Sequence, residues 1–135
     1  MIGIVIVSHG TLSEALLNTS EMILGKQEKI IAIPLIASQG LDDLKEKMRE
    51  AVETLASKEG LLILADMFGG SAANVSAVFL PTHKVEVITG VNLPMLLEAM
   101  LSREAYTEVK QLAKYLTEKS RGAIINMGDI HKTCR

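Results

Sequence analysis

Four short apolar runs are spaced along the chain and are separated by longer stretches of mixed polarity. A short continuous apolar run is typical of a strand buried on both faces, as in the centre of a parallel sheet. The predicted strands are residues 2–7, 29–34, 61–65 and 85–88. In the intervening stretches apolar residues recur every three or four positions, which indicates amphipathic helices.

The first helix is predicted over residues 11–24, and Gly25 ends it. Its apolar stripe would consist of Leu12, Ala15, Leu16, Thr19 and Ile23. The second helix is predicted over residues 41–55, with its charged residues on the outer face. Both helices would therefore cover the sheet with one apolar side.

Three further helices are predicted after the third strand. Ser71 begins one of them, and Asn92 is a suitable N-cap for the next. The last helix covers residues 103–119. It is followed by a short apolar run at residues 123–125, which we interpret as a small edge strand.

Strands that alternate with helices form a parallel sheet with helices on both faces and right-handed crossovers. The sequence therefore predicts an α/β fold: one domain, residues 1–135, with a doubly wound, mainly parallel sheet in the common strand order 2-1-3-4. Ligands bind such sheets beyond the carboxyl ends of the strands, where neighbouring strands send their connections to opposite faces. Strands one and three flank this point. We therefore expect His9 and Asp66, which follow these strands, to face each other across it.

Composition excludes several classes of protein. The 135 residues suffice for one domain, and with 48% hydrophobic but 3% aromatic residues its core must be aliphatic. The net charge of −2 without a basic cluster disfavours nucleic acid or an anionic membrane as the main partner. The apolar runs are shorter than the roughly 18 residues of a membrane span, and the N-terminus lacks the basic start of a secretory signal. The single cysteine, Cys134, excludes an internal disulfide, so we expect a cytoplasmic protein.

His9 and Asp66 are the strongest candidates for chemistry. A carboxylate that accepts one imidazole N–H fixes the tautomer and leaves the other ring nitrogen with a lone pair. Such a nitrogen can act as a nucleophile or a metal ligand. The glycines at Gly69 and Gly70 allow a ligand to approach the backbone, and the helix that begins at Ser71 offers unpaired N–H groups that favour anions. Phosphoryl transfer to His9 fits all of these residues.

Each residue also has a simpler interpretation. A histidine after a strand is often structural, and an aspartate there is often a helix cap. His83 and His131 lie in polar segments and are interpreted as solvated bystanders. Histidine phosphatases share His-Gly at such a strand end, but they have Arg where this chain has Ser8. Tetrapyrrole chelatases would need a second well-placed histidine, and no GxGxxG motif supports dinucleotide binding.

The sequence resembles the enzyme IIA proteins of the mannose family of the bacterial phosphoenolpyruvate-dependent sugar phosphotransferase system (PTS). The resemblance is carried by the stretches "IVIVSHGTLSEALL", "EMILG", "LADMFGGSAAN" and "VITGVNLPMLLEAM", and it is weakest after about Ser120. One departure is Ala72, where members often have proline. Both residues suit the first turn of a helix, so the departure changes little.

The resemblance implies that His9 accepts a phosphoryl group from the histidine-phosphocarrier protein HPr and passes it to an enzyme IIB, expected to be a separate protein. It makes Asp66 the carboxylate partner, and Gly69, Gly70 and Ser71 the phosphate-binding residues. No metal or organic cofactor is implied, and the sugar is not identified.

The resemblance also implies a homodimer, because mannose-family IIA proteins are joined by an exchanged strand. Residues 123–125 would serve as that strand and cover the sheet edge of a partner. Met67 and Phe68 would either contact protein partners or cover the sheet edge. Two other functions stay open: the phosphocarrier subunit of dihydroxyacetone kinase, and a non-catalytic regulatory module switched by phosphorylation of His9. The stretches "GGSAAN" and "GVNLPM" favour sugar transport.

Overall fold

The computed structural model describes residues 1–81 and 84–133. Strands and helices alternate as predicted, and each predicted strand is present with its ends within two residues of the predicted ones. The elements are β1 (Gly3–His9), α1 (Leu12–Leu24), β2 (Ile30–Leu35), α2 (Leu41–Leu55), β3 (Leu61–Ala65), α3 (Ser71–Ala77), β4 (Val85–Thr89), α4 (Leu93–Ser102), a 3₁₀ turn (Arg103–Ala105), α5 (Val109–Gly122) and α6 (Met127–Thr133). His83, interpreted as a bystander, and Cys134 lie outside the described residues.

The four strands form one parallel sheet in the order β2-β1-β3-β4, which confirms the predicted fold class and strand order. β1 and β3 are the central pair, and their register places Val7 opposite Ala65. Ser8 and His9 continue β1 beside β2, whereas Asp66 leaves β3 directly after Ala65. This register brings the ends of β1 and β3 together at one edge.

Each face of the sheet is covered by helices, as expected of a doubly wound fold. One core cluster joins Ile4, Ile6 and Leu64 to residues of α4 and α5, and the other joins Val5, Val7 and Ile63 to residues of α2 and α3. Burial of one such aliphatic side chain contributes about 1.5–3 kcal/mol. The residues of β1 and β3 are buried almost without exception, so the two strands that end at the candidate site have little freedom to move.

Of the apolar stripe predicted for α1, Leu16 packs against the core, but the rest is wrong. The fully buried positions of α1 are Ser13 and Ser20, whereas Leu12 and Ile23 are exposed. The helix packs through Leu17 and Leu24 as well as Leu16, so its buried face is rotated from the predicted stripe and includes the two serines. The buried Ser8 Oγ accepts a hydrogen bond from the Ser13 N–H at 2.7 Å, which ties the start of α1 to β1.

The helix predicted over residues 103–119 is interrupted. Arg103 lies in the 3₁₀ turn, Tyr106 is extended, and α5 begins at Val109. The Val109 N–H donates to the Glu59 carbonyl at 2.9 Å, and this bond ties the start of α5 to the loop before β3. The interruption therefore follows from tertiary contacts.

The segment predicted as an edge strand is not a strand within the single chain. After α5 ends at Gly122, residues 123–126 have no regular structure, and α6 follows, which the sequence pattern did not predict. Exchange of this segment requires a second subunit, so the exchanged strand stays a prediction. Among the described residues, every helix is too short or too polar to span a membrane.

Candidate active site

His9 and Asp66 are in direct contact where β1 and β3 end. His9 is the last residue of β1, and Asp66 follows the last residue of β3. Asp66 Oδ2 lies 2.7 Å from His9 Nδ1 and accepts the backbone N–H of His9 at 2.8 Å. The expectation that these two residues face each other is therefore confirmed.

This contact determines which ring nitrogen is accessible. A carboxylate oxygen can only accept here, so Nδ1 carries the proton and Nε2 keeps its lone pair. The imidazole of His9 is 49% exposed, whereas the side chain of Asp66 is 11% exposed. Asp66 thus holds one side of the ring from within the protein, and the other side opens to solvent.

The hydrogen bonds around Asp66 favour its ionised form. Burial alone would raise the pKa of the Asp66 carboxyl, but the backbone N–H and the imidazole of His9 and the backbone N–H of Met67 donate to it. Together these donors lower the pKa of Asp66 below its ordinary value of 3.8. The site therefore presents a carboxylate to His9 at neutral pH.

The turn that carries His9 is fixed to three neighbouring elements. Ser8 binds α1 through Ser13, His9 binds Asp66 after β3, and the Gly10 N–H donates to the Leu35 carbonyl of β2 at 2.7 Å. Gly10 has a φ of 56°, a conformation that glycine adopts without a steric cost. These hydrogen bonds of His9 and of its two neighbours in the chain fix the position of the His9 backbone.

Gly70 lies against the ring, and Gly69 and Ser71 flank it in the chain. Gly69 has a φ of 81°, Gly70 is the N-cap of α3, and Ser71 is its first residue. A Cβ atom added to Gly70 would lie 3.1 Å from His9 Cε1, the ring carbon between the two nitrogens. Because Nε2 is bonded to Cε1, the accessible nitrogen lies near the first turn of α3, whose N–H groups lack helical partners.

A cavity of about 490 Å³ opens beside this cluster and was missed by sequence reasoning. It lies between His9, Ser71 and the connection after β2, and its lining includes Gly10, Leu35, Ile36, Ala37, Gln39 and Leu41. Gly10 could have indicated this cavity from the sequence, because a glycine directly after the histidine leaves room beside the imidazole ring. The cavity places an apolar wall next to the candidate nucleophile.

The remaining polar candidates have local partners or lie elsewhere. Asn92 Oδ1 accepts the Met95 N–H at 3.0 Å and caps α4, as the sequence predicted. His131 is exposed in α6, well separated along the chain from the site. Within residues 1–81 and 84–133, no group of three or more His, Cys, Asp or Glu side chains could hold a metal ion.

Comparison with known proteins gives a consistent result. Residues 3–116 match the EIIA-man family, described as the PTS system fructose IIA component. The chain is 34% identical over 122 residues to the PTS system fructose-specific EIIA component of Bacillus subtilis, covering 90% of this chain and 83% of that protein. It is 36% identical over 124 residues to the PTS system mannose-specific EIIAB component of Escherichia coli K12. That match covers 91% of this chain but spans 38% of the longer relative.

The fold has close counterparts among solved structures. The crystal structure of phosphotransferase system component EIIA from Streptococcus agalactiae superimposes with a TM-score of 0.88 at 32% identity, covering 96% of this chain and 99% of that chain. The mannose/sorbose-specific IIA subunit from Enterococcus faecalis gives a TM-score of 0.84 at 28% identity, covering 93% of each chain. By the family match over residues 3–116 and these relatives, the chain belongs to the EIIA-man family of phosphotransferase-system IIA components, and this membership supports a phosphocarrier role in a sugar PTS.

Proposed function

We propose that the protein accepts a phosphoryl group on His9 from phosphorylated HPr and passes it to an enzyme IIB. The observation that carries this proposal is the double hydrogen bond from His9 to Asp66, which leaves Nε2 as the accessible ring nitrogen. Phosphorylation is therefore expected at Nε2. The whole chain, residues 1–135, would act as one IIA domain.

The proposed step exchanges one N–P bond for another. The lone pair of His9 Nε2 attacks phosphorus, and the imidazole nitrogen of HPr leaves with the pair of its former N–P bond. The proton on His9 Nδ1 stays in the hydrogen bond to Asp66, whose carboxylate stabilises the positive charge that the ring gains. Transfer to enzyme IIB is the same step in reverse, with the IIB nucleophile attacking.

Gly69, Gly70 and Ser71 are proposed to hold the phosphoryl oxygens. Their support is the position of Gly70 against the ring and of Ser71 beside His9 in the same cavity. Backbone N–H groups can donate to the oxygens without contributing a full positive charge. Such a cradle binds the group weakly enough to release it, which a carrier between two histidines requires.

The proposal is tested by incubation with phosphoenolpyruvate, enzyme I and HPr, followed by intact-mass measurement. We expect one phosphoryl group that is labile in acid and stable in base, as for a phosphohistidine. His9→Ala should abolish uptake, whereas the matched variants His83→Ala and His131→Ala should retain it. Uptake by His9→Ala, or its loss in His83→Ala, would show that the phosphorylated residue has been assigned incorrectly.

We also propose that the protein is a homodimer in which residues 123–125 of one subunit cover β4 of the other. β4 is an edge strand, so one row of its backbone N–H and C=O groups has no neighbouring strand in the sheet. Ile124 and Ile125 are exposed in the single chain, and exposed apolar residues of this kind favour an intermolecular contact.

A further inference from the structure

Ser8 is a buried polar residue beside the reactive histidine, and the proposed transfer step leaves its side chain without a role. It lies in β1 directly before His9 and is fully buried. A hydroxyl group at such a position is costly unless it forms a hydrogen bond. Ser8 Oγ accepts the backbone N–H of Ser13, in the first turn of α1, at 2.7 Å. The strand that carries His9 is therefore bonded directly to the helix that follows it.

α1 begins without a hydrogen bond from its own N-cap side chain. Threonine at an N-cap usually accepts an N–H of the first helical turn, but the Thr11 hydroxyl forms no such bond. Ser13 is the second residue of α1, so its N–H is one of those that an N-cap side chain normally accepts. Ser8 accepts this N–H instead, although it precedes Thr11 in the chain and belongs to the strand. The side chain that caps α1 thus comes from β1.

The Ser8–Ser13 hydrogen bond spans the corner between β1 and α1, which contains His9 and Gly10. Gly10 has a φ of 56°, and a glycine has more backbone freedom than any other residue when nothing restrains it. On the β2 side the Gly10 N–H is bonded to the Leu35 carbonyl. On the α1 side the Ser8–Ser13 bond joins the two ends of the corner. Loss of the Ser8 hydroxyl would therefore free the corner on the side of α1.

Ser8 and His9 hold this part of the chain from opposite faces of the sheet. Neighbouring residues of a strand point to opposite faces, so the Ser8 side chain faces α1 and the imidazole faces α3. On the α3 side the ring has little room, because a Cβ added to Gly70 would lie 3.1 Å from His9 Cε1. A shift of the His9 backbone would therefore alter either this contact or the 2.7 Å contact between Nδ1 and Asp66 Oδ2.

We propose that Ser8 is a positioning residue for phosphoryl transfer: by capping α1 from β1, its hydroxyl keeps Nδ1 of His9 on Asp66 and Nε2 directed outward. The inference rests on the proposed function, because it takes His9 as the nucleophile. Since Ser8 is fully buried, it cannot contact a docked protein, and its loss should lower kcat without raising KM. A displacement of about 1 Å can cost about 10²-fold in rate, so we expect a loss of at least about tenfold.

The hydroxyl is tested with Ser8→Val and Ser8→Thr. The two new side chains have nearly the same shape, but only threonine keeps an oxygen that can accept the Ser13 N–H. Initial rates of phosphorylation by phosphorylated HPr give kcat and KM. We expect kcat of Ser8→Val to be at least about tenfold below that of Ser8→Thr, with equal KM. Equal kcat in the two variants would overturn the proposal, and thermal unfolding verifies that both are folded.

Thr11→Ala and Ser13→Ala are the matched controls. The first removes a hydroxyl of the same corner that does not cap the helix. The second removes a buried hydroxyl without a hydrogen-bond partner among the described residues, but it keeps the backbone N–H that Ser8 accepts. Both should retain the wild-type kcat. A loss in either control as large as that in Ser8→Val would show that the Ser8 cap does not position the ring.

The position of the ring is measured without phosphoryl transfer. Long-range proton–nitrogen NMR spectra of the neutral imidazole show which ring nitrogen of His9 carries the proton. Wild type and Ser13→Ala should show protonated Nδ1 alone, whereas Ser8→Ala should show a mixture of the two tautomers. If Ser8→Ala shows this mixture but the wild-type protein gains no phosphoryl group, the proposed function fails and the positioning role stands. If the wild type is phosphorylated and Ser8→Ala keeps both the wild-type kcat and the single tautomer, the positioning role is wrong and the proposed function stands.

Discussion

Gly70 packs so tightly against His9 that an added Cβ would meet Cε1 at 3.1 Å and Met67 Cγ at 3.1 Å. The backbone of Gly70 has φ −82° and ψ 169°, values that any residue adopts. Gly70→Ala therefore introduces a steric contact with the imidazole without backbone strain. We expect phosphoryl transfer to fall by about tenfold or more, since small displacements of a reacting group are costly. Rapid-mixing measurement of transfer from phosphorylated HPr gives the rate.

Gly69 supplies the matched control for this variant. It has a φ of 81°, but an added Cβ would meet no atom within 4 Å. Gly69→Ala should therefore cost about 1–2 kcal/mol of stability through strain, with a smaller effect on transfer. If Gly70→Ala transfers phosphate at the wild-type rate, the contact with Cε1 does not position the ring.

Asp66→Asn should fold but transfer phosphate slowly. The amide oxygen can still accept from the His9 ring and backbone, but it lacks the charge that stabilises a positively charged, phosphoryl-bearing ring. A loss of about 10²-fold or more is expected for a positioned group of this kind. Single-turnover transfer measures the loss, and thermal unfolding verifies the fold. Wild-type transfer in Asp66→Asn would remove the carboxylate charge from the mechanism.

The lowered pKa of Asp66 also predicts how stability depends on pH. A carboxyl whose folded-state pKa is below its unfolded value binds fewer protons when folded, so it stabilises the fold above the unfolded pKa. That contribution should be present above about pH 3.8 and disappear as the pH falls through the lower folded-state pKa. The free energy of unfolding of wild type and Asp66→Asn should therefore converge in acid. A constant difference down to strongly acidic pH would show that the hydrogen bonds do not lower the pKa.

The strands and the site residues could be predicted because their signals are local. Both central strands are continuous apolar runs, and His9 and Asp66 directly follow them, so the strand order alone brings these two residues together. The tightness of the contact at Gly70 was not predictable, because it depends on how α3 leaves the sheet.

The errors arose where tertiary contacts override the hydrophobic pattern. Leu12 was predicted to be buried but is exposed, because α1 packs on the core through Leu17 and Leu24 as well as Leu16. Arg103 was predicted to begin a long helix over residues 103–119. In the structure its side chain turns into the protein, and the new helix begins after it at Val109. A single sequence shows neither contact.

Arg103 itself is predicted to be essential for stability. Its guanidinium is buried and donates to the carbonyl oxygens of Ile2 at 3.2 Å, Glu28 at 2.6 Å and Lys29 at 3.4 Å. Burial lowers the pKa of Arg103, and these carbonyl oxygens are the groups that hold the cation inside. The Lys29 carbonyl also accepts the Ile4 N–H at 2.9 Å, but Arg103→Met would remove the guanidinium donor from the Ile2 and Glu28 carbonyls. Each buried carbonyl that neither water nor another donor reaches would cost about 1–3 kcal/mol. Denaturant unfolding should show a loss of at least about 2 kcal/mol.

Arg49→Met is the control for the loss of an arginine. Arg49 is exposed on α2 and pairs with Glu46 and Glu53 on the same helix. Exposed pairs of this kind contribute about 0–1 kcal/mol, so the variant should remain close to the wild type. Equal losses of unfolding free energy in the two variants would show that the buried hydrogen bonds of Arg103 do not contribute to stability.

The free edge of β4 provides the structural basis for the dimer prediction. A cavity of about 390 Å³ lies between β4 and α5, and Val87, Ile88 and Ile124 contribute to its lining. Ser120 also lines it, and the Ser120 Oγ is buried with no hydrogen-bond partner among the described residues. A strand from a second subunit would pair with the free edge of β4 and could supply a hydrogen-bond partner for the Ser120 hydroxyl.

We therefore expect the full chain to sediment as a dimer at micromolar concentration and a chain shortened to end at Ser120 to sediment as a monomer. Ile124→Asp/Ile125→Asp in the full chain should also weaken the dimer, because each change would place a charge in the cavity beside β4 or in the contact around it. Val78→Asp, which alters an exposed apolar residue on the opposite face of the sheet, should leave the dimer intact. A monomeric full chain would refute the dimer. A dimer that survives both the shortening and the double substitution would place the subunit contacts on the helices rather than on the edge of β4.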